Sequence, residues 1–225
     1  MSLTKEQFVR SLDATLTFPT ATREETLELT GAAKKNDYYS ILVPRCFNRM
    51  AAEGLKGSRT IAGSGCSANL GHDPSEIKAY HAAFAVSEGI REIDMTMNLC
   101  YLKSKMYREA VMDIRKVKEA IGQEIPLKCI IEAPILTDEE IRTACEIVIE
   151  GGADFVKSAS GLRGETTLHH MEVISEAVKD RIRIKAAGGI RSLSGAASML
   201  ELGAARLGIS HLTVKKILQE IEEKG

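Results

Sequence analysis

The most constraining feature of this chain is a strict alternation of strand-like and helix-like segments along nearly its whole length. Strand-like runs fall at residues 12–17, 39–43, 59–62, 92–97, 127–132, 154–159, 182–187 and 205–209. Between them lie helix signals. Thr22-Arg-Glu-Glu25 and Thr137-Asp-Glu-Glu140 read as capping boxes, and Asp73-Pro74-Ser75-Glu76 as a cap followed by proline at the first helical position. Further helices are expected from Ser104 to Gly122, over 167–179, over 193–202 and over 211–223. Strict alternation of this kind implies parallel strands joined by helical crossovers. About eight such units in 225 residues predict a closed (β/α)8 TIM barrel, which typically takes ~250 residues. An open doubly wound sheet is the rival that periodicity alone leaves standing. No linker or low-complexity stretch divides the chain, so residues 1–225 are expected to form one domain.

Charge and composition narrow the function. Lys plus Arg number 30 and Asp plus Glu 31, a net charge of -1, which argues against a nucleic-acid partner. No apolar run of ~18 residues is available to cross a membrane, and the first ten residues lack the apolar core of a signal peptide. The five cysteines are odd in number and none is spaced CxxC, so reduced thiols and a cytoplasmic location are expected. HExxH and paired-cysteine spacings are absent, so neither a metal nor a cofactor is expected.

A barrel enzyme works at the C-terminal ends of its strands. Polar residues late in the strands are Asp13 and Thr15, Asp94 and Asn98, Glu132, Lys157 and Lys185. Lys157 lies in Ala-Asp-Phe-Val-Lys-Ser-Ala-Ser-Gly and shares a strand face with Phe155 and Ala159. An amine nucleophile must be neutral, and in water only about one lysine in ~2,500 is neutral at pH 7. An apolar strand and a second cation, here Lys185, both favour the neutral form. Asp94 is then placed to move protons at reacting carbons. The bland alternative is a rim lysine paired with a carboxylate. Lys128 with Glu132, and Glu92 with Asp94, are expected to share strand faces in an ion-pair layer below the chemistry.

The glycines add a second theme. Gly188-Gly189-Ile190-Arg191 follows the seventh strand, Gly203 and Gly208 flank the eighth, and Gly161 follows the sixth. Barrels often hold phosphate in the loops after strands seven and eight. Tight turns alone are the competing explanation. Gly63-Ser-Gly65-Cys-Ser-Ala68 fits a dinucleotide fingerprint, but the acidic residue at the required distance, Glu88, falls on a helix. Most histidines read as surface residues. His211, just after the eighth strand, could touch a substrate, and Cys66 and Cys100 could face the site.

Taken together, Glu92-Ile-Asp-Met-Thr-Met-Asn98, Lys128-Cys-Ile-Ile-Glu132, Gly152-Ala-Asp-Phe-Val-Lys-Ser-Ala-Ser-Gly161 and Ile184-Lys-Ala-Ala-Gly-Gly-Ile-Arg191 resemble the deoxyribose-phosphate aldolases. The likeness runs from Leu12-Asp-Ala-Thr15 to Arg206-Leu-Gly-Ile-Ser210. It implies a metal-independent class I aldolase that splits 2-deoxyribose 5-phosphate reversibly into glyceraldehyde 3-phosphate and acetaldehyde. It implies that Lys157 forms the Schiff base, that Lys185 favours its neutral form and shares in proton relay, and that Asp94 transfers protons through an ordered water. Asp13, Thr15, Gly161, Gly188, Gly189, Arg191, Gly208 and Ser210 would lie against the substrate. Its partner would be a phosphorylated sugar or aldehyde, and a homo-oligomer is compatible with the sequence. The chain departs from the family pattern at Ala159, at Gly65-Cys66-Ser67, at His211 and at Arg183, which would need a carboxylate such as Glu92 if it points inward. A same-mechanism aldolase with another substrate and a silent sugar-phosphate-binding barrel are therefore the alternatives.

Overall fold

The computed structural model describes residues 3–67 and 70–224. Among the described residues eight parallel strands close into a barrel in sequence order. They are β1 (Leu12–Thr15), β2 (Ser40–Leu42), β3 (Ile61–Cys66), β4 (Glu92–Thr96), β5 (Leu127–Ile130), β6 (Phe155–Lys157), β7 (Arg183–Ala187) and β8 (Ala204–Ser210). Pairing of β1 with β8, Asp13 opposite Gly208, closes the ring and excludes the open sheet. The helices are α1 (Lys5–Ser11), α2 (Arg23–Asn36), α3 (Asn48–Gly54), α4 (Ser75–Ser87), α5 (Leu99–Lys103), α6 (Tyr107–Ile121), α7 (Asp138–Glu150), α8 (Leu168–Val178), α9 (Leu193–Glu201) and α10 (His211–Lys224).

Both expected capping boxes form. Thr22 and Thr137 accept from the backbone N–H three residues on, and Glu25 and Glu140 return the bond. Thr4-Lys-Glu-Gln7 is a third such box and opens α1, which puts Phe8 and Val9 into the core. The strand reading from Leu12 onward overlooked it. At α4 the expectation is corrected. Pro74 is the cap and the helix starts at Ser75, because Asp73 instead accepts from Ser67 Oγ at 2.8 Å. The single helix expected from Ser104 is two. Asn98 caps α5, and Lys105, in the left-handed region at φ 58°, breaks the chain before α6.

Strand alternation divides the barrel into two chemistries. Outward-facing Ala14, Ile41, Ala62, Ile93, Met95, Cys129, Val156, Ile184, Ala186, Leu207 and Ile209 are buried in one apolar core beneath the helices. The inward face is charged, with Asp13, Glu92, Asp94, Lys128, Lys185 and Arg206 all buried. Barrel lumens are usually filled by branched apolar side chains. A lumen of buried charge is costly unless the charges pair, so its presence marks the functional end of this molecule.

β3 runs four residues further than expected, through the glycines read as a turn. A Cβ at Gly63 would lie 3.0 Å from Glu92 Cγ and 3.4 Å from Leu42 Cδ1. The glycine makes room for a charged neighbour inside the barrel. With Gly63 and Gly65 in a strand, the dinucleotide fingerprint loses its phosphate turn; its Ala68 lies outside the described residues.

Candidate active site

Register brings the two strand lysines together. Lys157 pairs directly with Lys185 across β6 and β7, and Asp94 with Lys128 across β4 and β5. Asp94 Oδ2 accepts from Lys157 Nζ at 2.8 Å and from Lys185 Nζ at 2.7 Å. Below this, Lys185 Nζ also lies 2.6 Å from Asp13 Oδ2, and Lys128 Nζ lies 3.1 Å from the same oxygen. Lys128 also meets Glu92 Oε1 at 2.5 Å and Asp94 Oδ1 at 3.2 Å. At the base Arg206 pairs with Asp13, donates to Ser40 Oγ at 3.1 Å, and stacks its guanidinium 3.3 Å from the Tyr39 ring centroid.

Four cationic side chains, Lys128, Lys157, Lys185 and Arg206, thus share three carboxylates, Asp13, Glu92 and Asp94. For Asp94, burial would raise the carboxyl, but the ammonium groups of Lys128, Lys157 and Lys185 outweigh it and hold it well below its ordinary range. Asp13 behaves alike: burial is outweighed by Lys128, Lys185 and Arg206. Burial would make Lys128 give up its proton, but Asp13, Asp94 and Glu92 win and raise it. Lys185 goes the other way. Burial dominates, Lys128 and Lys157 add repulsion, and the ammonium is pushed down to about 8 despite Asp13 and Asp94. Of Lys128, Lys185 and Arg206, Lys185 therefore holds its proton least tightly.

Accessibility separates the three amines. Lys128 and Lys185 are 0% exposed, whereas Lys157 keeps 8%, so Lys157 is the amine an incoming molecule reaches. Asp13, read from sequence as a substrate neighbour, is fully buried beneath Lys185. Thr15 stands one step nearer the mouth, half-buried, its hydroxyl donating to the Asp13 carbonyl at 3.2 Å. Gly208 lies within β8, and a Cβ there would sit 2.8 Å from Ala187 Cβ and 3.2 Å from Lys185 Cε. It makes room for the lysine.

The other glycines meet at the mouth. Gly161 and Gly188 both have positive φ, and a Cβ on Gly188 would fall 3.2 Å from Gly161 Cα. Gly189 is next to them, against Glu165. Arg191 is exposed and pairs with Glu165 at 2.5 Å. Ser210 Oγ shares a 2.9 Å hydrogen bond with Thr213 and accepts from its N–H at the start of α10. The loop of residues 158–167 is stapled to β7, where Ser158 Oγ bonds Ala187 N and O at 3.0 Å and Thr166 Oγ1 donates to Ala187 O at 2.6 Å.

Several expectations are corrected. Glu132 does not share the Lys128 layer. It takes a left-handed conformation (φ 54°) that ends the alternation, and accepts from Ser160 N and Arg163 at 3.1 Å. Arg183 does not reach Glu92; it is exposed and lies 4.2 Å from the Phe155 ring centroid. Cys66 faces outward and donates to the Lys78 carbonyl on α4, and Cys100 is exposed on α5. His211 is 3% exposed and follows the outward face of β8. Glu28 and Glu25 on α2 and Lys215 on α10 are its charged neighbours, so it does not line the lumen. Arg206 escaped the sequence reading altogether, although its place two residues before Gly208 gave it the lumen face.

Among the described residues no group of three or more His, Cys, Asp or Glu side chains is placed to hold a metal ion, and no helix is long and apolar enough to cross a membrane.

Comparison with known proteins agrees with this geometry. Residues 63–213 match the model of the DeoC/LacD family aldolases. Deoxyribose-phosphate aldolase of Carboxydothermus hydrogenoformans is 37% identical over 208 residues, which cover 91% of each chain. That of Staphylococcus carnosus is 37% identical over 204 residues, 90% of this chain and 92% of the relative. Among solved structures, the aldolase QR15 superposes with a TM-score of 0.89 at 31% identity, covering 96% of both chains. The Aeropyrum pernix deoxyribose phosphate aldolase, described as a tetramer, shares the fold with a TM-score of 0.87 at 23% identity, covering 99% of this chain and 94% of that one. The alternating barrel, its charged lumen and these relatives lead to one assignment: the chain belongs to the DeoC/LacD family of aldolases.

Proposed function

We propose that the protein is a class I aldolase that cleaves 2-deoxyribose 5-phosphate reversibly into glyceraldehyde 3-phosphate and acetaldehyde. The observation that carries this is the sharing of Asp94 Oδ2 by two lysines, of which only Lys157 opens to the mouth. The relatives of that name support the substrate.

Lys157 attacks the open-chain aldehyde carbon once its amine is neutral. Loss of water from the carbinolamine leaves an iminium at C1. The proton on the C3 hydroxyl is then removed, the C2–C3 bond breaks, and its electron pair flows into the iminium to give an enamine. Glyceraldehyde 3-phosphate leaves. Protonation of the enamine at C2 and addition of water to the iminium release acetaldehyde and the lysine. Asp94 and Lys185 carry these protons. Asp94 accepts from both lysines, and burial lets Lys185 shed its proton at about 8, well below the usual lysine range. Arg191 and the amides around Gly161, Gly188, Gly189 and Ser210 receive the phosphate end, with Thr15 at the mouth nearby. Asp13 holds Lys185 from below, and Gly208 gives it room. The charged side chains already carry these steps without a cofactor. The reading places the enzyme in carbohydrate catabolism in the cytoplasm, where its thiols stay reduced, and as a homo-oligomer.

The test is trapping. Acetaldehyde with borohydride should leave a reduced two-carbon adduct on the peptide containing Lys157, absent in Lys157→Met. An adduct spread over surface lysines, or none, would defeat the proposal.

A further inference from the structure

The loop of residues 158–167 is fixed at both ends of its course. Ser158 and Thr166 bind the end of β7, Thr166 N donates to Gly188 O at 3.0 Å, and Glu132 holds Ser160 N and Arg163. Glu165 sits inside this staple. Its backbone is therefore held in place, and its exposed side chain lies against the turn after β7. A Cβ on Gly189 would be 2.7 Å from Glu165 Cβ and 3.1 Å from Glu165 Oε2. The other carboxylate oxygen pairs with Arg191 at 2.5 Å. A second internal carboxylate, Glu220 of α10, receives the N–H of Leu193 at the start of α9 at 3.4 Å.

This turn and helix start are where a barrel offers backbone amides to a substrate phosphate. Here the chain already carries its own negative charge there. We propose that Glu165 is a specificity-determining residue, an anion of the chain's own at the exposed mouth that competes with the dianionic end of the substrate for Arg191 and the Gly188–Gly189 turn. Phosphorylated sugars must displace its carboxylate from Arg191, and uncharged 2-deoxy sugars need not. The enzyme consequently favours phosphorylated over uncharged substrates less than an aldolase with an open turn. This rests on the aldolase reading above.

The experiment compares wild type with Glu165→Gln and Glu165→Ala, using 2-deoxyribose 5-phosphate and 2-deoxyribose as substrates and inorganic phosphate as a competing anion. One like charge about 4 Å away across water is worth about a fivefold change in binding. Glu165→Gln should therefore lower KM for the phosphorylated sugar about fivefold and tighten inhibition by inorganic phosphate alike. The values of kcat, and KM for 2-deoxyribose, should stay put. Equal shifts for both sugars, or none, overturn the proposal. Acetaldehyde trapping is run on each variant. A labelled Lys157 with unchanged KM values overturns this inference alone, and an unlabelled Lys157 in the wild type overturns the aldolase reading beneath it.

Discussion

Lys157 and Lys185 stand in register on neighbouring strands and donate to one and the same oxygen of Asp94, at 2.8 and 2.7 Å. The shared acceptor couples the two amines. Once Lys185 has given up its proton, its neutral amine can take one from Lys157 beside the shared Asp94 oxygen, so neutrality at one site is handed to the other. Lys185 titrates at about 8, pushed down by burial. The rate of imine formation should therefore rise about tenfold per pH unit below 8 and level off above it. In Lys185→Met this limb should vanish from the pH profile of borohydride trapping. A profile unchanged by the substitution would remove Lys185 from the relay.

Asp94 is held ionised by three ammonium groups, and Asn in its place keeps the shape without the charge. Asp94→Asn should lower kcat by about 10²- to 10⁴-fold, the usual range for a lost proton-transfer group. KM for the sugar phosphate should move far less. A large rise in KM with kcat preserved would make Asp94 a binding residue.

Much of this site was legible because alternation fixes strand faces. Lys157, Lys185 and Asp94 could be named as one candidate set from sequence alone, since each is a polar residue in the later part of an expected strand. The layer beneath them was harder to see. Arg206 and Asp13 are 193 residues apart, and only closure of β8 onto β1 sets their register. Gly63 was read as lying past the end of its strand and Gly208 with the glycines facing the substrate phosphate, because glycine in a strand has no local signal; their reason is a neighbour's side chain, Glu92 in one case and Lys185 in the other. The left-handed Glu132 broke the alternation that would have put it beside Lys128. His211 was misplaced for a similar reason, because a residue just past a strand end faces the lumen or the helices depending on one step of register.

Gly208→Ala tests that logic directly. The added methyl would meet Ala187 Cβ at 2.8 Å and Lys185 Cε at 3.2 Å, so the lysine or the strand must yield. Overpacking of this kind costs about 1–3 kcal/mol. Urea unfolding should show that loss, and the alkaline-going limb of the pH profile should shift, because Lys185 no longer reaches Asp94 and Asp13 as before. Unchanged stability together with an unchanged profile would mean that Gly208 has no spacing role.

Lys128 touches no opening to solvent, yet it sets the charge balance. Lys128→Met leaves three cations facing three carboxylates, and Lys185 then loses a repelling neighbour. The pH limb assigned to Lys185 should move above 8. Breaking one partner out of a buried ionic network also destabilises by about 3–5 kcal/mol. Urea midpoints and trapping rates measured on the same variant separate the two effects. A stable variant with its limb still at 8 would contradict the charge-balance account.

Acid stability follows from the same cluster, and its sign can be worked out. The folded Asp94 and Asp13 titrate far below their usual value of 3.8, whereas the unfolded chain protonates them near it. Below pH ~4 the unfolded state therefore binds protons that the native state refuses, and stability falls as the pH drops through that window. Above pH ~5 the contribution of both carboxylates is fully present. Asp94→Asn removes one of the two groups. Its urea midpoint should be lower than wild type at pH 7, and should decline less steeply between pH 4 and pH 2. Parallel declines in the two proteins would mean that the lumen carboxylates are not what links this fold to acid.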